Sequence, residues 1–231
     1  MKAEQPFLRT SLPSSSRRAS EPEQPLVIIV DDDASVREAL AELMLSAGLR
    51  PVTFASIREL LDADALDRPG CLILDVRMPG ASGLDLQSHL AQTGNPKPIV
   101  FLTGHGDIPM SVQAMKAGAV DFLTKPVRDQ TLLDAVAAGI AIDATRRATA
   151  AAVKRNVELF AGLTQRERQV LSEVARGRFN KEIAFDLGIS EVTVKLHRGN
   201  AMRKMQVASI SALIRAWETL PASVHDVQTT G

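Results

Sequence analysis

GCLILDVRMPGASG, residues 70–83, is the stretch on which the fold turns. Cys71-Leu72-Ile73-Leu74 is an uninterrupted apolar run of strand length with glycine on its N-terminal side. It runs into a carboxylate, Asp75, and the chain then turns through Met78-Pro79-Gly80. A strand buried on both faces has no polar alternation, and open parallel sheets carry their chemistry at strand C-termini. The stretch therefore predicts a central parallel strand with Asp75 at its working end.

The same rhythm continues on both sides. LVIIV (26–30), RPVTF (50–54), CLILD (71–75), PIVFLT (98–103) and AVDFLT (119–124) read as strands. Between them lie helical patterns: ASVREALAELMLSAG (34–48), SIRELLDADAL (56–66) capped by Ser56, SGLDLQSHLAQ (82–92), DIPMSVQAMKAG (107–118), and an Ala-rich helix from Val127 past Ile140. Strands alternating with helices require a parallel sheet covered on both faces. The fold class is an α/β doubly wound five-stranded parallel sheet over 26–140, followed by an all-α four-helix domain over 163–220. A helical linker, 141–162, joins them, with a mobile stretch expected near 148–152. The Pro-, Ser- and charge-rich residues 1–25 read as a disordered tail, and 221–231 as a loose one. Arg17-Arg18-Ala19-Ser20 fits a kinase site but is read as solvated tail.

With 231 residues, 45% hydrophobic, the chain is long enough for two cores. Its single cysteine, Cys71, excludes an internal disulfide and suits a buried thiol in a reducing cytoplasm. No apolar run approaches a membrane span, and the N-terminus lacks the order of a secretory signal. The zero net charge is a cancellation. Residues 26–140 hold 9 Lys/Arg against 15 Asp/Glu, and residues 163–220 hold 10 against 6. The basic half is the place to look for nucleic acid.

The strand ends deliver Asp31-Asp32-Asp33, Asp75, Thr103 and Lys125-Pro126. In a right-handed doubly wound sheet these groups converge at one edge. Clustered carboxylates need a cation, and oxygen-only ligation with open positions suits Mg2+. A carboxylate beside Mg2+ can attack a phosphoryl group and become an aspartyl-phosphate, with Lys125 neutralising charge and Thr103 donating a hydroxyl. Asp33 reads as a flanking acid or a helix N-cap, outside the metal set. Pro126 raises the odds of a cis peptide that aims Lys125 inward.

VDDD (30–33), LDVRMPG (74–80), LTGHGD (102–107) and DFLTKP (121–126) resemble, in order and spacing, the signature of response-regulator receiver domains. The resemblance implies Asp75 as phosphoacceptor, Asp31 and Asp32 as Mg2+ ligands and the backbone carbonyl of Arg77 as a further ligand. It implies Thr103 as switch hydroxyl, Phe122 as switch aromatic and Lys125 as the lysine of the site. Many relatives carry Tyr at the Phe122 position, so no phenol hydroxyl takes part here. An Asp-nucleophile phosphatase expects a second acid two residues after the nucleophile, and position 77 is Arg. Arg77 and His105 flank the expected phosphoryl site, either tuning the lifetime of the aspartyl-phosphate or, for His105, as an exposed loop residue.

In the basic half, Gly188-Ile189-Ser190 joins two short helices as a helix-turn-helix. Thr193, Lys195, Leu196, Arg198 and Gly199 are the candidates for the DNA major groove, and Lys181, Arg203 and Lys204 for phosphates. Val192, Val194, Ala201, Met202 and Met205 are expected to pack. LTQRERQVL (163–171), ARGRFNKEIAFDLGIS (175–190) and EVTVKLHRGNAMRKM (191–205) closely resemble the LuxR-type DNA-binding domain, in which Glu167, Leu171, Ile183 and Ala184 are chiefly structural. Relatives often place Lys where this chain has Gly199. With no nearby Cys or second His, His197 is not read as a metal ligand.

Together the halves resemble a response regulator of the FixJ/NarL type, closest to the FixJ branch. The resemblance implies a bacterial, cytoplasmic, phosphorylation-activated DNA-binding transcription regulator. Its partners are then a sensor histidine kinase and double-stranded promoter DNA, with RNA polymerase left open and no membrane partner. The switch is homodimerisation through the face of Val112, Met115 and Lys116, unmasking of the basic domain, or both. It is not an enzyme beyond its own phosphorylation and slow aspartyl-phosphate hydrolysis. Two alternatives remain: an enzyme acting on a phosphorylated small molecule at Asp75, and a constitutive DNA-binding protein that uses its receiver only to dimerise.

Overall fold

The computed structural model describes residues 24–104 and 106–225. The expectations for the tail up to residue 23 (Arg17–Ser20 included), for His105 and for residues 226–231 fall outside them. The chain divides into two compact units, 1–143 and 144–231.

In the first unit the strands are β1 (Leu26–Val30), β2 (Arg50–Phe54), β3 (Gly70–Leu74), β4 (Ile99–Thr103) and β5 (Asp121–Thr124), all parallel in the order β2-β1-β3-β4-β5. Every residue of β1, β3 and β4 is buried, as their continuous apolar runs require, while β2 and β5 form the half-exposed edges. The pleat sends Leu26, Ile28 and Val30 to one face and Val27 and Ile29 to the other. On the first face pack α2 (Ile57–Asp62), α3 (Gly83–Gln92) and α4 (Ile108–Lys116) through Leu60, Leu86, Leu90 and Ala114. On the second, α1 (Ala34–Ser46) and α5 (Asp129–Ala161) bring Leu40, Met44, Leu132 and Val136.

Local chemistry sets the element ends. Ser56, Ser82 and Asp107 cap α2, α3 and α4 with their side chains. The second helix is shorter than its apolar pattern predicts, because Asp64 takes a positive φ of 48° and breaks the turn. Gly70 opens β3 at φ 131°, and a Cβ there would lie 1.8 Å from the Leu26 carbonyl oxygen, so glycine alone permits the β1–β3 approach. The Gly70 N–H donates to the buried Asp143 carboxylate at 2.8 Å, which ties α5 to the start of the strand that carries Asp75 at its other end. Lys97, also buried, donates to the Arg68 carbonyl at 2.5 Å nearby.

The second unit holds α6 (Gln165–Ala175), α7 (Asn180–Leu187), α8 (Glu191–Lys204) and α9 (Ile210–Glu218). The last turns of α5 contribute Phe160, which packs with Leu163, Leu171, Ala201, Met205, Leu213 and Leu220. Its ring meets Trp217 at 5.6 Å and lies under the Arg168 guanidinium at 5.1 Å. Val170, Val174, Ile183, Ala184 and Val194 form a neighbouring cluster that holds α6, α7 and α8 together. Past Leu220 the chain makes a further helical turn, α10 (Ala222–His225), because Pro221 suits a helix start and Val224 adds to the Phe160 cluster.

Candidate functional sites

The β1–β3 register pairs Val30 with Leu74, so Asp31 and Asp75 leave the sheet side by side. The Asp75 N–H donates to the Val30 carbonyl at 2.9 Å, which fixes the backbone under both carboxylates. Asp31 and Asp75 are buried and Asp32 is exposed, and ligand oxygens of all three lie within 4.8 Å of one another. That set offers only hard oxygen donors, the kind Mg2+ selects, with one member open to water. Asp33 does not join it. Its Oδ1 accepts from the Ser35 hydroxyl at 2.6 Å and from the Ser35 N–H at 2.8 Å, capping α1, and these bonds, the hydroxyl's foremost, hold its carboxyl below the ordinary range.

Lys125 enters from the opposite side. Its peptide bond to Pro126 is cis, and its N–H donates to the Thr103 carbonyl at 2.8 Å. Its ammonium bridges Asp31 Oδ2 at 2.5 Å and Asp75 Oδ2 at 3.0 Å. Partial burial pulls the Lys125 pKa down, but the hydrogen bonds and charges of Asp31 and Asp75 outweigh it and hold the ammonium above its ordinary value. The other Asp75 oxygen, Oδ1, accepts from the Arg77 N–H at 3.1 Å. Thr103 is buried at the end of β4. Phe122, half-buried on β5, packs against Phe101 at 5.9 Å, and a Cβ at Gly106 would lie 2.8 Å from its ring. Phe122 therefore lies between the core and the loop that follows Thr103. On α4, Ile108, Val112 and Met115 form an exposed apolar stripe, 79%, 44% and 45% accessible, with exposed Lys116 beside it. Ile108 extends the face read from sequence.

In the second unit α7 ends at Gly188 in the left-handed conformation and α8 starts at a Ser190 cap, the two helices of a helix-turn-helix. Of the groove candidates, Lys195, Leu196 and Gly199 are exposed on α8. Thr193 and Arg198 are half-buried: Thr193 Oγ1 shares a 2.8 Å hydrogen bond with Ser190, and Arg198 donates to Asn180 Oδ1 at 3.2 Å. Lys181 and Arg203 are exposed. Lys204 is instead paired with the buried Glu167 at 2.7 Å, where Glu167 also closes the N-terminus of α6 through Thr164. Burial alone would raise the Glu167 pKa, and the Lys204 ammonium with the two Thr164 bonds outweighs it and lowers it. Val192, expected to pack, is 75% exposed and corrects that reading. It lies one turn before Leu196 on the outer face, and strict 3.6-residue counting from the buried Val194 would have found it. Among the described residues, no helix is long and apolar enough to cross a membrane.

Comparison with known proteins agrees with both halves of this geometry. Residues 27–137 match the response regulator receiver domain, and residues 161–217 match the bacterial regulatory proteins of the luxR family. Nodulation protein W of Bradyrhizobium diazoefficiens is 49% identical over 89% of this chain and 90% of its own length. The transcriptional regulatory protein FixJ of Azorhizobium caulinodans is 46% identical over 84% and 92%. Among solved structures, the response regulator StyR matches with a TM-score of 0.75 and 49% identity, over 84% of this chain and 98% of that one.

Proposed function

The chain belongs to the response regulators that join a receiver to a LuxR-type DNA-binding domain, of the FixJ/NarL type, and on that premise we propose that Asp75 is the residue through which phosphorylation controls it. A phosphorylation-dependent transcription regulator needs one nucleophilic carboxylate beside a fixed cation. The observation that carries the assignment is the Lys125 ammonium bridging Asp75 and Asp31 at the C-terminal edge of β1 and β3.

An Asp75 oxygen attacks the phosphorus of a phosphohistidine on the sensor kinase. The O–P bond forms as the P–N bond breaks, and the electron pair leaves with the imidazole nitrogen. Asp31, Asp32, Asp75 and the Arg77 carbonyl would hold Mg2+, which would supply positive charge to the phosphoryl oxygens. Lys125 neutralises a further oxygen, and the Thr103 hydroxyl turns to the phosphoryl group. Phe122 turns further inward, and the α4 face of Val112, Met115 and Lys116 pairs with a second copy. Two basic units held together gain effective concentration on a two-half-site operator, and release of a masked DNA-binding unit is a second route to the same end. On this reading the chain works in the cytoplasm, turns over no substrate beyond its own phosphorylation and dephosphorylation, and meets RNA polymerase at the promoter.

The test is light-scattering mass and duplex-DNA binding with Mg2+, with and without beryllofluoride, on the full chain and Asp75→Asn. A gain in mass or DNA affinity confined to the unsubstituted chain supports the assignment. DNA binding equal in all four samples means a constitutive DNA-binding protein and overturns it.

A further inference from the structure

The outer face of α8 carries an apolar stripe in the middle of a cationic surface. Val192 and Leu196, one helical turn apart, are 75% and 61% exposed. Lys195 stands beside them, and Arg203 lies further along the same face, both exposed. Between these groups Gly199 has no heavy atom within 4 Å of where its Cβ would be. The opposite face is buried through Val194 and Ala201, so helix rotation is set by packing and not by the polar residues. Two of the long hydrogen-bonding side chains on this helix are engaged inside the unit, Arg198 with Asn180 and Lys204 with Glu167.

An apolar partner surface on another protein fits this face poorly, because Lys195 and Arg203 flank the stripe and would be desolvated against it. The DNA major groove complements it, with phosphates for the cations and one apolar feature on its floor, the C5-methyl group of thymine. We infer that Val192 and Leu196 read thymine methyl groups in the major groove of the operator, and that Gly199 lets the helix backbone come close enough for them to do so. Specificity then rests on methyl contacts as well as on hydrogen bonds from Lys195. The inference rests on the DNA-binding reading of the second unit and names what that surface recognises.

The experiment begins with the full chain, Mg2+ and beryllofluoride, and a duplex library randomised over about 20 base pairs, a span that covers two half-sites. In the enriched duplex each thymine is replaced in turn by deoxyuridine, which removes the methyl group and leaves pairing intact. One or two thymines per half-site should each lose about four-fold in affinity, the effect of burying one methyl-sized group. Val192→Ala and Leu196→Ala should each erase the loss at a different thymine. Both side chains are exposed, and an unchanged Trp217 unfolding transition shows that the variants fold. Deoxyuridine tolerated at every thymine by the unsubstituted chain overturns the inference, as does a loss that persists in both variants. Failure to enrich any duplex overturns the DNA-binding reading itself and is distinct from either outcome.

Discussion

Lys204 and Glu167 offer a quantitative test of whether a basic residue on the DNA-binding helix serves the fold or the DNA. Glu167 is buried, Lys204 Nζ lies 2.7 Å from it, and the lysine side chain is 37% exposed. Lys204→Met strands a buried carboxylate with only its Thr164 donors. Stranding one partner of a fully buried pair costs about 3–5 kcal/mol, and partial access of water to this one reduces that to about 2 kcal/mol. Glu167→Ala removes the same pair together with the reciprocal cap on α6, so it should cost about 3 kcal/mol. The double variant should also cost about 3 kcal/mol, because the pair can be lost only once. Trp217, the one tryptophan in the chain, lies in the second unit, so its fluorescence during urea or thermal unfolding follows that unit in the intact protein. For a unit of this size, about 2 kcal/mol moves the midpoint by roughly 10 °C. Losses that add to within about 0.5 kcal/mol would refute the coupling. The pair also predicts that Lys204→Met changes the salt slope of DNA binding less than Lys195→Met does, since a cation that neutralises no phosphate releases no counterion.

The Glu167 carboxyl is held below its ordinary range, so its contribution is complete above that range and is lost as pH falls through the lowered value. Trp217-monitored melts in mild acid should show this slope in the unsubstituted chain and not in Glu167→Ala. For Lys125 the sign is opposite. Its raised pKa makes its contribution complete below 10.5 and lost only as pH rises beyond that, an alkaline slope that calorimetry should find missing in Lys125→Met. Gly70→Ala, with Cβ driven onto the Leu26 carbonyl at a φ of 131°, should cost more than about 3 kcal/mol and leave the first unit unfolded by circular dichroism. Asp143→Ala leaves the buried Gly70 N–H without its acceptor and should cost the first unit about 1–3 kcal/mol of stability, seen as a lower calorimetric midpoint. An unchanged midpoint would mean that the bond contributes nothing net.

Much of the receiver was legible because its central strands are continuous apolar runs and its functional groups stand at their ends, where one-dimensional order becomes spatial order. Val30 and Leu74 pair in the sheet, so Asp31 and Asp75 had to meet. Asp143 was not legible as a participant. An acid in an Ala-rich helix gives no sign that the N–H of Gly70, far away in the chain, will claim it. The second unit was legible in its turns and caps and less so in its surface. Lys204 and Lys195 look alike in sequence, and only the burial of Glu167 across the unit separates them. Val192 went astray because an apolar residue on a helix defaults to the core, whereas the helical phase set by Val194 and Ala201 turns it outward.

The isolated thiol of Cys71 has a use that follows from where it lies. It sits on the central strand β3 with no accessible surface, and burial pushes its pKa up to about 12, so in the closed protein it is neither reachable nor ionised. A thiol reagent can modify it only when the first unit opens. The labelling rate of the full chain is thus a clock on the opening of that unit alone, silent to the rest of the protein, which has no other cysteine. Beryllofluoride, Mg2+ or a kinase that stabilises the closed receiver should slow that clock by the factor with which it binds, a readout of signal input that needs no DNA and no added probe.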